Sequence, residues 1–249
     1  MKPILSGGII AAGEGSRLKA GGKAGPKPLV TIGGIALVER VLMNMQAAGI
    51  TQVTTIFNED DRECDAWVRA RFSELTFRNI IRTTPSSWAS FLEVARAIMN
   101  PPAVISAVDT WCSADAFRAF LREAETFSDD AVVLGVTPLV DDERPLWVRL
   151  DPDGRVREIG IGSGEAVTAG LYVIPGDLIE SAGAHSFDRL RDFLKWLVAG
   201  SRPVYGVVLP AVVDVDRQED IALAAAANID AGVPGAGSPG SGLPGGERS

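Results

Sequence analysis

Two short segments near the start of the chain carry residues suited to gripping phosphate. The first is Ala11-Ala12-Gly13-Glu14-Gly15-Ser16-Arg17-Leu18. Glycines at 13 and 15 permit positive φ and close approach of the backbone to a ligand. Consecutive amides in such a turn form a concave donor cluster for phosphate oxygens, and Arg17 adds a planar cation able to bind the same oxygens bidentately. In the second segment Lys27 stands between Pro26 and Pro28. Each proline fixes φ, so the lysine is expected on a stiff, extended stretch.

Two acidic positions complete the set. Asp109 follows an apolar run over residues 103–108, and open α/β sheets place ligands beyond the carboxyl ends of their strands. In Asp214-Val215-Asp216 an extended backbone turns both carboxylates to one side. A capping role competes at each place: Asp109 ahead of a helix starting near Ser113, and one of Asp214 and Asp216 ahead of a helix near Gln218.

The elements that must hold these residues alternate. Strands are expected over 9–12, 53–57, 77–81 and 103–108. Helices are expected over 36–48, over 60–72 with Asp60 or Asp61 near its cap, from the cap Ser86 to 99, and over 113–125. Such alternation is the signature of a parallel sheet covered on both faces. The second half is richer in strands, at 131–137, 147–150, 156–161, 167–174 and 204–208, with a hairpin turn at 151–154 and helices at 187–198 and 218–229. Residues 1–231 read as one domain, and the Gly- and Pro-rich stretch 232–249 reads as a disordered tail.

Composition removes several classes of function. Hydrophobic residues make up 46% and charged residues 22%, which excludes disorder along the whole chain. A formal net charge of −8 argues against a nucleic-acid coat or an anionic-membrane binder. No apolar run reaches the ~18–20 residues of a membrane span. Ser6, Gly7 and Gly8 interrupt the apolar start, so a signal peptide is rejected and a cytoplasmic protein is expected. Two cysteines and one histidine cannot build a Cys/His zinc site. Reduced thiols are expected for Cys64 and Cys112, and His185 reads as a surface-loop residue. Gly-x-Ser-x-Gly is absent, there is no Walker A Gly-Lys-Ser/Thr, and Leu18 stands where a dinucleotide fingerprint needs its third glycine.

As a whole, Gly8 through Leu18, then Pro26-Lys27-Pro28-Leu29, then Ile32 through Arg40 resemble the nucleotidyltransferase family: the sugar-phosphate nucleotidyltransferases, or NDP-sugar pyrophosphorylases, with their alditol- and choline-phosphate relatives. The resemblance spans residues 5–230 and is strongest in the first 50. It implies a three-layer α/β, Rossmann-like nucleotidyltransferase fold with a mixed, mostly parallel central sheet. The implied reaction is transfer of NMP from an NTP to a sugar-1-phosphate or similar small phosphomonoester, with release of pyrophosphate.

Under that resemblance Ala11, Ala12, Gly13, Glu14, Gly15 and Ser16 bind the nucleotide, Arg17 holds the β/γ-phosphates and Lys27 contacts the reacting phosphates. Mg²⁺ falls to Asp109 and Asp216, with Asp214 close behind. Ser86 and Ser87 lie where relatives touch the base or ribose, although a plain helix cap serves equally for Ser86. Thr168 and Gly170 fall in the acceptor segment. The pattern is departed from at Val108, where relatives have Gly, and at Thr168, where they have Asn. Arg157-Glu158-Ile159 replaces a Glu-Lys-Pro stretch, and no lysine occurs between Lys27 and Lys195; Lys195 reads as helix surface. Trp88, Trp111 and Trp147 near the expected pocket loops keep a choline-phosphate acceptor open, since such a cluster binds a quaternary ammonium; the resemblance also leaves an alditol-phosphate acceptor of the cytidylyltransferase type as an alternative. A catalytically inactive nucleotide-sensing regulator on the same fold is the remaining alternative, disfavoured because Arg17, Lys27 and the carboxylates are all present. NTP and phosphomonoester are the expected partners, without nucleic acid or membrane, and the oligomeric state is left open.

Overall fold

The computed structural model describes residues 3–22, 25–98, 100–139 and 144–227. The expected tail at 232–249 and the domain boundary near 231 lie outside the described residues. In the first half β1 (Ser6–Ala11), α1 (Ser16–Ala20), β2 (Thr31–Ile32), β3 (Ile35–Ala36), α2 (Leu37–Ala47), β4 (Gln52–Phe57), α3 (Glu63–Arg71), β5 (Thr76–Ile81), α4 (Ser87–Ala97), β6 (Ala103–Ala107), β7 (Thr110–Trp111) and α5 (Ala114–Ala124) follow in order. The second half contributes β8 (Val132–Thr137), β9 (Trp147–Leu150), β10 (Val156–Ile161), β11 (Ala166–Ile174), α6 (Gly176–Ala182), α7 (Leu190–Ala199), β12 (Val204–Val208), β13 (Val213–Asp214) and α8 (Gln218–Ala226).

The large sheet runs β10-β9-β11-β6-β1-β4-β5, with β8 beside β11 and β12 beside β8. Pairing is parallel along β6-β1-β4-β5 and between β8 and β12. It is antiparallel wherever β11 or the β9-β10 hairpin takes part. The sheet is therefore mixed, with parallel ladders forming most of the paired length.

Each face of the sheet has its own core. On one, the stripe Leu37, Val38, Val41, Leu42 and Met45 of α2 packs with Phe117 and Phe120 of α5 and Val68 of α3. On the other, Trp88, Phe91 and Val94 of α4 pack with Phe193, Leu194 and Leu197 of α7. Helices thus cover both faces and the molecule has three layers. Each such side chain taken fully from water contributes about 1.5–3 kcal/mol. The central strand β1 is thin at its start, because a Cβ on Gly7 would lie 2.6 Å from Met45 Sδ and one on Gly8 2.6 Å from Val94 Cγ1. The glycines that interrupt the apolar start let α2 and α4 approach the sheet from opposite sides.

Several boundaries differ from the sequence reading. The helix expected over 60–72 starts at Glu63 after a 3-10 turn, Glu59–Asp61, and Asn58 rather than an aspartate caps that turn through the amide of Asp60. The helix expected over 187–198 starts at Leu190, and that expected over 218–229 is described to Ala226. The short elements α1, β2, β3, β7, β13 and α6 have no counterpart in the sequence reading, since two to seven residues leave little periodicity to detect. Cys64 and Cys112 are free and buried, and burial pushes both thiols up to about 12. His185 lies in the exposed loop before α7, with its ring centroid 4.6 Å from that of Trp196.

Candidate active site

The glycine loop leaves the carboxyl end of β1 and runs at once into α1, which Leu18 anchors by burial. Asn58, just beyond β4, donates from Nδ2 to the carbonyl of Ala12 at 3.2 Å and ties the loop to the neighbouring strand. Gly13 and Glu14 are exposed. Of the two glycines only Gly15 uses positive φ, at 61°; at Gly13 the space around the backbone is open. A Cβ on Gly15 would lie 2.8 Å from Cβ of Lys27. The two phosphate-suited segments thus stack directly on each other.

Lys27 does not lie on an extended stretch. It opens a 3-10 turn, Lys27–Leu29, whose first bond runs from the amide of Leu29 to the carbonyl of Pro26 at 3.0 Å. Pro26 itself is extended, while the fixed φ of Pro28 suits the first turn of a helix. The result stays stiff but turns the lysine inward, leaving its side chain only 7% exposed.

There Lys27 meets the acidic positions. Nζ donates to Asp109 Oδ2 at 2.5 Å and to Asp216 Oδ1, and Arg17 Nη1 donates to Asp216 Oδ2 at 2.9 Å. Burial works against the Lys27 ammonium, yet Asp109 and Asp216 outweigh it and hold its pKa above the usual lysine value. Burial likewise opposes the Asp216 carboxylate, and Lys27 and Arg17 more than compensate, keeping it below the usual aspartate range.

Two bridges set the spacing of the carboxylates. β13 pairs antiparallel with β7, Asp214 opposite Thr110, and the amide of Val215 donates to the carbonyl of Asp109 at 3.1 Å. Val108, whose amide donates to the carbonyl of Ile10 at 3.0 Å, carries the β6 pairing one residue further toward Asp109. The carboxylate of Asp220 accepts from the amides of Asp216 and Arg217 at 2.8 and 2.6 Å. It is this buried aspartate that caps α8, not Asp214 or Asp216. Likewise Ser113, not Asp109, caps α5. Carboxylate oxygens of Asp109, Asp214 and Asp216 all lie within 4.8 Å of one another, a hard-oxygen set of the kind divalent cations take.

Two cavities adjoin the carboxylates. One of about 300 Å³ contains Asp109, Asp214, Thr110, Thr168, Gly170 and Ser87 in its wall, with Leu146, Leu190 and Leu194 among its apolar lining. Thr168 and Gly170 therefore sit with the acidic cluster. Gly170, φ 71°, occupies a bulge in β11, where a Cβ would collide with the Thr110 hydroxyl. The second cavity, about 310 Å³, is lined by Arg17, Arg144, Arg189, Arg191, Ser87, Asp214 and Asp216.

Ser87 faces both cavities, and its Oγ accepts from the amide of Leu190 at 3.1 Å. Ser86 is the N-cap of α4, its Oγ accepting from Ala89 at 3.2 Å, and it lines neither. The tryptophans do not gather at the cavities. Trp88 packs among Phe91, Phe187 and Phe193, and Trp111 is 1% exposed beneath the guanidinium of Arg40. Arg144, Arg189 and Arg191 escaped the sequence reading, because single arginines in loops and at a helix start resemble ordinary solvated surface.

A family model described as a MobA-like NTP transferase domain matches residues 7–150, more than half of the chain. No curated protein sequence matches. Among solved structures, the inositol-1-phosphate CTP transferase from T. maritima is 18% identical with a TM-score of 0.77, covering 93% of this chain and 98% of that one. A UDP-glucose pyrophosphorylase complexed with UDP-glucose is 15% identical with a TM-score of 0.76, covering 90% and 98%. A UTP-bound UGPase from Acinetobacter baumannii is 14% identical with a TM-score of 0.72, covering 90% and 93%. At these identities the likeness is one of fold.

Proposed function

The chain belongs to the family of MobA-like NTP transferase domains, and from that premise we propose that it transfers a nucleotidyl group from an NTP to a sugar-1-phosphate or similar phosphomonoester, releasing pyrophosphate. An acceptor phosphate oxygen attacks the α-phosphorus. The new P–O bond forms as the bond to the β-phosphate oxygen breaks, and pyrophosphate carries away the electron pair. Two anions must approach for this. Unit charges 4 Å apart repel by about 4 kcal/mol at an effective dielectric of about 20, so catalysis here is largely positioning and neutralisation.

The observation that carries the reading is the convergence of Lys27 with Asp109 and Asp216 beside the glycine loop. The loop amides of residues 11–16 and Arg17 hold the β/γ end that leaves. Lys27, pinned and charged, sits where the α-phosphate and the acceptor meet. Asp109, Asp214 and Asp216 fit a divalent cation such as Mg²⁺ by donor type and mutual spacing. When bound, the cation supplies charge neutralisation between the two phosphates. Thr168 and Gly170 shape the acceptor cavity. The structural neighbours named for inositol-1-phosphate and UDP-glucose support a phosphorylated cyclic polyol or sugar over a quaternary amine, as does the absence of a tryptophan cage among the described residues. Among those residues no helix is long and apolar enough to cross a membrane.

The test is pyrophosphate release with four NTPs against a panel of sugar and polyol phosphates, for wild type and Asp109→Ala. Turnover with at least one pair, reduced by orders of magnitude in the variant while its melting temperature holds, is expected. Turnover by Asp109→Ala near the wild-type rate at saturating Mg²⁺ would remove Asp109 from the metal set.

A further inference from the structure

Arg144, Arg189 and Arg191 share a cavity with Arg17, Asp214 and Asp216, and nucleotidyl transfer as described gives the first three no part. Arg189 is the extended residue before α7 and Arg191 lies in its first turn, while Leu190 between them is buried against the core. Both guanidinium groups line the same cavity. Neither makes an ion pair with a carboxylate among the described residues. Arg191 donates from Nη2 to the carbonyl of Arg144 at 3.1 Å, which joins the loop before β9 to α7 and closes the wall. Arg189 and Arg191 bring two positive charges to this cavity, comparable in size to the −1.5 to −2 of one phosphomonoester. Ser87, Arg191 and Asp214 belong to both cavities, so the cationic chamber and the more apolar one are continuous.

We propose that Arg144, Arg189 and Arg191 form the subsite for the acceptor's phosphate group, with the adjoining cavity taking its organic part. The assignment rests on the nucleotidyl-transfer reading and moves Ser87 from the nucleotide to the acceptor side. Guanidinium forks suit the task, since each can bind two phosphate oxygens at once. The differing linings of the two connected chambers make the arginines a reader of the phosphate and leave selection among acceptors to the cavity around Thr168.

The test uses the full chain with single variants Arg189→Ala, Arg191→Ala and Arg17→Ala, each checked by melting temperature. Inorganic phosphate is titrated by calorimetry without nucleotide. Binding by wild type, weakened about tenfold or more in Arg189→Ala and Arg191→Ala and less in Arg17→Ala, supports the subsite. No binding by wild type, wild-type affinity in both α7 variants, or a loss in Arg17→Ala equal to or greater than theirs overturns it. In turnover, the α7 variants should raise KM for every phosphomonoester by about the same factor, at least roughly tenfold, with KM for NTP nearly unchanged. A matched rise in KM for NTP overturns the assignment. If wild type releases no pyrophosphate from any pair yet phosphate binding still follows Arg189 and Arg191, the transfer reading fails and the anion subsite stands.

Discussion

Replacing Lys27 with methionine keeps the unbranched side chain to within one atom of its length and removes its charge. The lysine is 7% exposed, against 20% for Asp109 and 36% for Asp216. Removing one partner of a fully buried pair costs about 3–5 kcal/mol, because the other charge is left uncompensated. Here the carboxylates keep some contact with water, and Asp216 keeps Arg17 at 2.9 Å, so the expected loss is about 2–3 kcal/mol. In a chain of this size 1 kcal/mol moves Tm by about 2–4 °C. Lys27→Met should therefore melt about 4–12 °C lower than wild type in EDTA. Mg²⁺ should narrow that gap, since the carboxylates freed from Lys27 bind a cation more strongly. Turnover at saturating Mg²⁺ should still fall by roughly 10²–10³, the usual loss when a charge-stabilising donor is removed. Calorimetric melts with and without Mg²⁺, together with pyrophosphate release, test each part. An unchanged Tm in EDTA combined with near-normal turnover would refute the central place given to this lysine.

Gly15→Ala forces a methyl group to within 2.8 Å of Lys27 Cβ at a φ of 61°; a stability loss of at least about 1–2 kcal/mol in urea denaturation and a raised KM for NTP are expected, and wild-type behaviour in both would contradict the stacking. Asp220→Ala removes the acceptor for the Asp216 and Arg217 amides, so stability should drop by about 0.5–2 kcal/mol and Mg²⁺ should bind more weakly by calorimetry; a variant with unaltered Mg²⁺ affinity would show that Asp216 is positioned without its cap. The carboxyl of Asp151 is opposed by burial but held below the usual aspartate range by the Arg155 amide and the Arg157 guanidinium. A depressed folded-state pKa gives stability that is present above the unfolded value and lost as pH falls through the folded one. Asp151→Asn should thus melt below wild type near neutral pH, with the difference closing as pH drops below about 3.8; a difference independent of pH would assign the effect to turn geometry alone.

The readable parts of this molecule are those whose chemistry is contiguous. Ala11 through Arg17 run from the end of β1 through a short loop into α1, and Thr168 and Gly170 share one strand, so neighbours in sequence remain neighbours in the site. The helix stripe of α2 is equally plain, since its burial follows a 3.6-residue period. The importance of Lys27 is legible but its backbone is not, because two prolines are compatible both with extension and with the first turn of a 3-10 helix. The bridge between β7 and β13 spans two residues on each side and exists only once distant strands have paired, so no local pattern announces it. Arg144, Arg189 and Arg191 come from two segments about 45 residues apart, and only the fold shows that they line one chamber.

The two carboxylates that neutralise Lys27 lie 82 and 189 residues further along the chain. At translation rates of about 5–20 residues per second, the second emerges from the ribosome some 10–40 s after the lysine. Throughout that interval the amino-terminal strands can begin to pair, but closing over Lys27 would bury a cation with at most one of its two carboxylate partners. The pocket beneath Gly15 is thereby expected to remain open to water until residues 213–216 arrive. Competence to bind and react is then among the last properties a growing chain acquires, and a nascent fragment ending short of Asp214 would not sequester nucleotide in a half-built site.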